Sequence, residues 1–151
     1  MQARGAALDR IRVLHTGVRA TQSTDEARRR VRDALGVPAD LPLIVFAGRM
    51  CEQKRPMLLA DILRGVRDAG MQFRALVIGE GELKQAFQRK LDEYRLVECV
   101  QMLDSVEHKR WLEIVAASDI LLMPSKYEGI SIALLEALAS GCVPVVAKVG
   151  G

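Results

Sequence analysis

Between Leu43 and Lys148 the chain repeats one pattern: a short aliphatic or β-branched run, a polar turn, then a helical stretch of about ten residues or more. The runs "LIVFAG" (43–48), "FRALVIG" (73–79), "ECVQML" (98–103), "DILLMPS" (119–125) and "VPVVAK" (143–148) read as strands. Continuously apolar strands of this kind are buried on both faces. Between them lie helical stretches. Pro56 suits the first turn of "PMLLADILRGVRDAG", which Gly70 closes. "ELKQAFQRKLDEY" (82–94), "HKRWLEIVAAS" (108–118) and "SIALLEALAS" (131–140) follow, the last closed by Gly141. Strands alternating with helices of that length join as parallel crossovers, so the fold class is α/β, a Rossmann-like doubly wound parallel sheet with helices on both faces. Ahead of the first run, "RIRVLHTGV" (10–18) reads as an edge strand, and a helix is expected from about Thr24 to Leu35, with Ser23 and Glu26 as a capping box at its start. The chain stops at "VGG" straight after the fifth strand, with no helix to cover it. Residues 1–151 are therefore expected to be one domain, truncated after that strand and part of something longer.

Composition removes several classes. A chain of 151 residues that is half hydrophobic and 27% charged is a globular domain rather than a disordered one, and with aromatics at 4% its core is aliphatic. The formal charge is +3, but residues 1–32 hold eight Arg against three acids, a net of +5 that leaves −2 for the remainder. "EARRRVRD" has the charge of a nucleic-acid or anionic-lipid patch. With no aromatic or glycine between those arginines, it reads better as a solvated helix face. No nucleic-acid partner is expected. Cys51, Cys99 and Cys142 form no CxxC pair, which without a signal peptide points to reduced thiols in a cytoplasmic protein. His15 and His108 are the two histidines, and no metal-ligand spacing exists. The apolar run "EGISIALLEALASGCVPVVA" (128–147) is cut by Gly141 and Pro144 into pieces too short to span a bilayer.

In open parallel sheets ligands bind beyond the carboxyl ends of the strands. The first strand exits into "GRMCEQK". Gly48 there leads a loop with Arg49 and Lys54, two cations able to grip one anion from two sides, although a solvated loop is the plainer reading of that piece alone. "GEGELK", after the second strand, lacks the third glycine of a dinucleotide fingerprint and brings Glu80 and Glu82 near any phosphate, so it reads as a turn. "MLDSVEH" at the third exit is polar and could line a base pocket or be an ordinary loop. The fourth exit, "PSKYEGISIALLE", carries most information. Glu128 and Gly129 precede a helix that begins near Ser131, and a helix start offers free N–H groups to a phosphate. Glu136 lies in the second turn of that helix among leucines and alanines. An unpaired carboxylate there costs several kcal/mol, about the scale expected for a buried charge. It needs either a ligand with hydroxyl donors or an internal Arg or Lys. Taken together, the strand exits describe a site for a nucleoside diphosphate.

These residues carry a resemblance. "FAGRMCEQKRPMLLADIL", "ALVIGEGELK" and "ASDILLMPSKYEGISIALLEALASGCVPVVAKVGG" resemble the carboxy-terminal half of group 1, family 4 glycosyltransferases, over roughly residues 11–151. The E-x7-E element, Glu128 to Glu136, within its "PS..EG....LEA.A.G.PVV" frame is the specific part. The resemblance implies one half of a GT-B architecture, two Rossmann-like domains facing a cleft, and retaining transfer of a sugar from a nucleotide-diphosphate sugar to an acceptor hydroxyl without a metal. It implies that Gly48, Arg49 and Lys54 meet the diphosphate and that Glu128 lies near the donor sugar. The amides of Gly129, Ile130, Ser131 and Ile132 would meet its hydroxyls or the phosphates, Glu136 would hold the ribose, and Met102 to Val106 would border the base. Arg49, Lys54 and Glu128 carry the catalytic assignment, with no covalent role for Glu128. No cofactor is implied beyond the donor substrate. The acceptor, a sugar or lipid-linked glycan, would bind an amino-terminal domain not in this chain, with room for peripheral membrane contact. Thr16 in "LHTGV" replaces the family's usual Asn and is not a site residue. Three competitors stand beside this reading: a stand-alone nucleotide or nucleotide-sugar binding module, a nicotinamide-dependent oxidoreductase, which the defective "GEGELK" turn disfavours, and a sugar epimerase, which the E-x7-E frame disfavours.

Overall fold

The computed structural model of the protein describes Arg10, Arg12, Leu14, Gly17, Val18 and residues 24–149. Five strands, β1 (Leu43–Ala47), β2 (Arg74–Ile78), β3 (Val100–Leu103), β4 (Ile120–Met123) and β5 (Val143–Val146), pair entirely in parallel in the order β3-β2-β1-β4-β5. Five α-helices connect or precede them: α1 (Asp25–Ala34), α2 (Pro56–Asp68), α3 (Lys84–Glu93), α4 (His108–Ala117) and α5 (Ile132–Ala139). This is the expected doubly wound sheet. From β1 the chain winds outward through β2 to β3, then returns to the other side of β1 as β4. The direction of winding therefore reverses between β1 and β4, and the strand exits flanking that point are where such sheets bind ligands.

Period-two alternation sorts the strand residues between two cores. Ile44 and Phe46 face a layer formed by Leu59, Ala60 and Leu63 of α2 with Phe87 and Leu91 of α3. Leu43 and Val45 face the opposite layer, where Trp111, Ile114 and Val115 of α4 pack with Ala137 of α5, and Val31 of α1 packs against them. Full burial of one such Leu, Ile or Phe contributes about 1.5–3 kcal/mol. β5 pairs on one side with β4, and Val143, Val145 and Val146 along it are exposed.

Three local expectations need amending. Ser23 lies outside the described residues, and the cap of α1 is Thr24, whose Oγ1 accepts the Ala27 N–H at 3.2 Å. With Thr24 as the cap, the position three residues on is Ala27, which has no polar side chain to complete a capping box. Within "RIRVLHTGV" the described residues belong to no strand, and Ile11, Val13, His15 and Thr16 lie outside the described residues.

The arginines of α1 are not a uniformly solvated face. Arg29 and Arg30 are exposed, but Arg28 and Arg32 turn inward onto Asp119, just before β4. Arg32 is 4% exposed. It donates to Asp119 Oδ2 at 3.1 Å, to the Ala117 carbonyl at the end of α4 at 3.2 Å, and to the Pro38 and Leu41 carbonyls. Asp119 also accepts the Leu43 amide at 2.7 Å. One carboxylate thus joins α1 to the sheet and fastens the start of β1, which a sequence reading of exposed charge does not show.

Partial burial pushes the Asp119 carboxyl up, but the Leu43 amide and the two guanidiniums outweigh it and hold the group below the ordinary carboxylate range. A carboxyl lowered in the folded state contributes stability above its unfolded value, near 3.9, and loses it as pH falls through the folded one. Asp119→Asn should therefore flatten the acid limb of the unfolding profile below about pH 4. Arg32→Leu removes the bonds to Asp119 and to the Ala117, Pro38 and Leu41 carbonyls while Arg28 stays paired with Asp119. It should cost about 1–3 kcal/mol in denaturant unfolding. A loss under 1 kcal/mol, on the order of a solvated surface pair, would contradict this.

Candidate functional site

The loop after β1 is shaped by two glycines in the loop after β2. Gly79 and Gly81 have φ of +148° and +150°, a region closed to residues with a side chain. A Cβ on Gly79 would stand 2.0 Å from the Gly48 carbonyl oxygen, and one on Gly81 would stand 2.5 Å from that of Met50. Bare backbone on one loop thus lets the other lie directly on it. The contact is hydrogen-bonded: the Gly48 amide donates to Ile78 O at 3.0 Å, Met50 to Glu80 O at 2.7 Å, and the Leu83 amide to Met50 O at 2.9 Å. "GEGELK" is therefore a turn, as its missing third glycine implied, and its function is to seat "GRMCEQK".

That seat delivers the two cations differently. Arg49 is exposed and makes no ion pair among the described residues, so its guanidinium faces solvent at the strand exit. Lys54 ends a short 3₁₀ turn (Glu52–Lys54), and its methylene stem lies over Gly48, where an added Cβ would meet it at 3.4 Å. Its ammonium reaches Glu128 Oε1 at 2.6 Å, both side chains being mostly buried. Two further bonds tie the loops together: the Lys126 amide donates to Gln53 O at 2.7 Å, and the Gln53 side chain donates to Tyr127 O at 3.1 Å. The loops after β1 and β4 thus meet where the winding reverses. Burial pushes the Glu128 carboxyl up, but Lys54 outweighs it and holds the group below the ordinary range. At neutral pH Glu128 is a carboxylate, suited to accept hydrogen bonds and stabilise positive charge, and unsuited to donate a proton.

Gly129, Ile130, Ser131 and Ile132 follow on the same rim. Gly129 and Ile130 are exposed, and a Cβ on Gly129 would meet nothing within 4 Å, so a ligand can reach that backbone. Ser131 caps α5 by accepting the Leu134 amide on its hydroxyl at 3.4 Å, which leaves the earlier amides of the first turn without an intrahelical acceptor.

Glu136 is 5% exposed and has two protein partners. Oε2 accepts the indole N–H of Trp111 at 2.6 Å, and Oε1 lies 2.6 Å from His108 Nε2. The acid is thus satisfied inside the protein by an indole and an imidazole on α4, and by neither an Arg nor a Lys. Glu136 meets neither Lys54 nor Glu128, so the two acids of the E-x7-E element have separate partners. Sequence reading missed Trp111 and His108. Their three-residue spacing at the start of α4, one helical turn, was the available signal that they share a face.

The proposed base region divides. Met102 is half-buried and packs into the α2–α3 layer, whereas Val106, in the loop after β3, packs on the α4–α5 side. The two side chains therefore do not line one wall. Among the described residues no group of three or more His, Cys, Asp and Glu side chains is placed to hold a metal ion, and no helix is long and apolar enough to cross a membrane. Cys51 and Cys142 are buried, and burial pushes the Cys142 thiol up to about 11, which keeps it protonated.

A family described as "Glycosyl transferases group 1" matches residues 27–151. Among curated relatives, the D-inositol 3-phosphate glycosyltransferase of Xylanimonas cellulosilytica is 32% identical over 97% of this chain and 37% of its own length. The granule-bound starch synthase 2 of Pisum sativum is 33% identical over 93% of this chain and 18% of its own. The chain therefore spans well under half the length of these relatives. Among solved structures, Anabaena HepE in complex with UDP and glucose superposes with a TM-score of 0.81 at 21% identity, over 97% of this chain and 40% of that one. WaaG, a glycosyltransferase involved in lipopolysaccharide biosynthesis, superposes with a TM-score of 0.78 at 20% identity, over 95% of this chain and 40% of its own. The fold is that of a GT-B glycosyltransferase domain.

Two outcomes follow from this geometry. Gly81→Ala forces a Cβ into the Met50 carbonyl at a φ that alanine avoids, and should lower stability by about 2 kcal/mol or more in chemical denaturation. Lys54→Met leaves Glu128 with the burial and without the ammonium, so its carboxyl should titrate at higher pH, as followed by carboxyl-carbon NMR. An unmoved Glu128 titration would show that Lys54 does not govern its charge.

Proposed function

The chain belongs to the group 1 glycosyltransferases, and we propose that it is the donor-binding domain of a retaining, family 4 enzyme that moves a sugar from a nucleoside-diphosphate sugar to an acceptor hydroxyl without a metal. The observation that carries this reading is the meeting of Lys54 and Glu128 across the β1 and β4 exits, with Arg49 exposed beside them. In this reading the diphosphate sits over the loop after β1. Arg49 takes one phosphate and Lys54 the other, while the open amides at the start of α5 face the same anion.

As the bond between sugar and diphosphate breaks, negative charge grows on the departing phosphate oxygen. Fixed cations and amides already aimed there stabilise that charge without reorganising. Positive charge grows on the sugar, and Glu128, held as a carboxylate, lies on the same rim to offset it and to accept a sugar hydroxyl. In the free protein Lys54 and Glu128 neutralise one another, so an arriving phosphate competes for Lys54. Glu136 keeps its assignment as the ribose acceptor, and Val106 borders the base. That a solved structure of the same fold, Anabaena HepE, is in complex with UDP and glucose supports a nucleoside diphosphate as the ligand class. Transfer itself belongs to a larger assembly in which a second domain brings the acceptor.

Calorimetry with UDP, GDP and ADP tests this reading. The folded chain should bind one of them in the micromolar to millimolar range, about −4 to −8 kcal/mol. Arg49→Ala and Lys54→Ala should each weaken binding roughly tenfold, the scale of one charge-assisted hydrogen bond. Absence of heat with all three diphosphates, from a chain shown to be folded, would overturn it. The chain alone should transfer no sugar to a defined acceptor.

A further inference from the structure

The two oxygens of Glu136 are held in unlike ways. Trp111 is 7% exposed, packed among Ile114, Val115 and Ala137, and its indole N–H meets Oε2 at 2.6 Å inside the core. That donor is neutral, rigid and has no second partner. His108, which meets Oε1 at the same distance, has a side chain 70% exposed at the first position of α4. Most of its surface lies in solvent, so the imidazole is held less firmly than the enclosed indole and can be displaced from outside. Glu136 thus has one oxygen anchored from within and one oxygen whose partner can be exchanged from outside.

We propose that Trp111 is a positioning residue for Glu136, fixing its carboxylate through Oε2, and that His108 occupies Oε1 until the ribose hydroxyls of the donor displace it. The proposal rests on the reading of Glu136 as the ribose acceptor. The indole sets the rotation of the carboxylate, so Oε1 presents its lone pairs to the rim in a fixed direction. The imidazole keeps that oxygen hydrogen-bonded while no ligand is present, because a carboxylate that is nine-tenths buried and half satisfied is costly. Nucleotide arrival then exchanges one donor for another. Opening the site then trades one hydrogen bond to Oε1 for another and never leaves the buried charge bare.

The test compares the tightest-binding of UDP, GDP and ADP with its 2′-deoxy counterpart, by calorimetry on the folded chain and its variants. Wild type should prefer the ribonucleotide. Glu136→Gln should abolish that preference, and Trp111→Phe should reduce it about tenfold while binding of the deoxy compound holds, the loss expected for one hydrogen bond to a charged group. His108→Ala should tighten ribonucleotide binding up to about fivefold, since a competitor is removed. Trp111 is the single tryptophan, so one indole N–H resonance reports the anchor even if Trp111→Phe fails to fold. On titrating wild type with the nucleotide, the His108 ring signals should move and the indole signal should stay. A full ribose preference in Trp111→Phe, or a moving indole signal beside unmoved His108 signals, would overturn this proposal alone. Absence of any diphosphate binding by wild type would overturn it together with the reading it rests on.

Discussion

The direct contact between backbone of the β1–α2 loop and backbone of the β2–α3 loop is the constraint on which the site depends. Two residues without side chains, Gly79 and Gly81, let the carbonyls of Gly48 and Met50 approach to distances no Cβ would permit. Three backbone hydrogen bonds across that contact then fix the path of the chain from Gly48 to Met50. Everything beyond inherits this placement: the 3₁₀ turn, the stem of Lys54 along Gly48, and the meeting of its ammonium with Glu128. Catalytic charges on loops act well only when the loop costs nothing to organise at the moment of reaction. Here the organisation is built into the joint between two loops.

The same rule governs the buried and half-buried charges named above. Arg32 reaches Asp119 and three backbone carbonyls, Glu128 takes Lys54, and Glu136 takes an indole and an imidazole. A charge taken from water is retained only where partners replace its hydration. What separates structural from functional use is whether a partner can leave. Arg32 is enclosed by helix ends and loop carbonyls, so its bonds hold α1 in place. The partners of Glu128 and of Glu136 Oε1 stand at the strand exits, where the proposed donor would bring a phosphate and a hydroxyl to take over.

The fold was legible because its signals are local. Five apolar runs, Pro56 at the start of α2, and Gly70 and Gly141 beyond the ends of α2 and α5 mark elements that the structure places within a few residues of the expected bounds. Thr24 caps α1, one residue on from where the capping box was read, a difference of a single residue of helix register. The rim was legible too, since every βα exit of a parallel sheet falls on one edge. Partners were not. A buried acid among leucines demanded a donor, and an Arg or Lys was the natural candidate. The structure supplied Trp111, which the sequence reading does not single out, and His108, which it notes only as one of two histidines. Likewise Arg28 and Arg32 share a run with Arg29 and Arg30, and composition alone cannot tell which pair turns inward.

Sequence by itself determined that this chain is a parallel α/β sheet with charge and a helix start gathered at its strand exits, because period, punctuation and strand-exit position are properties of short segments. Tertiary structure alone decided the pairings: Glu136 with Trp111 across 25 residues, Lys54 with Glu128 across 74, and Arg32 with Asp119 across 87. Periodicity reports which face a residue occupies. Which group waits on the opposite face depends on how the layers dock, and that is set by packing over the whole core.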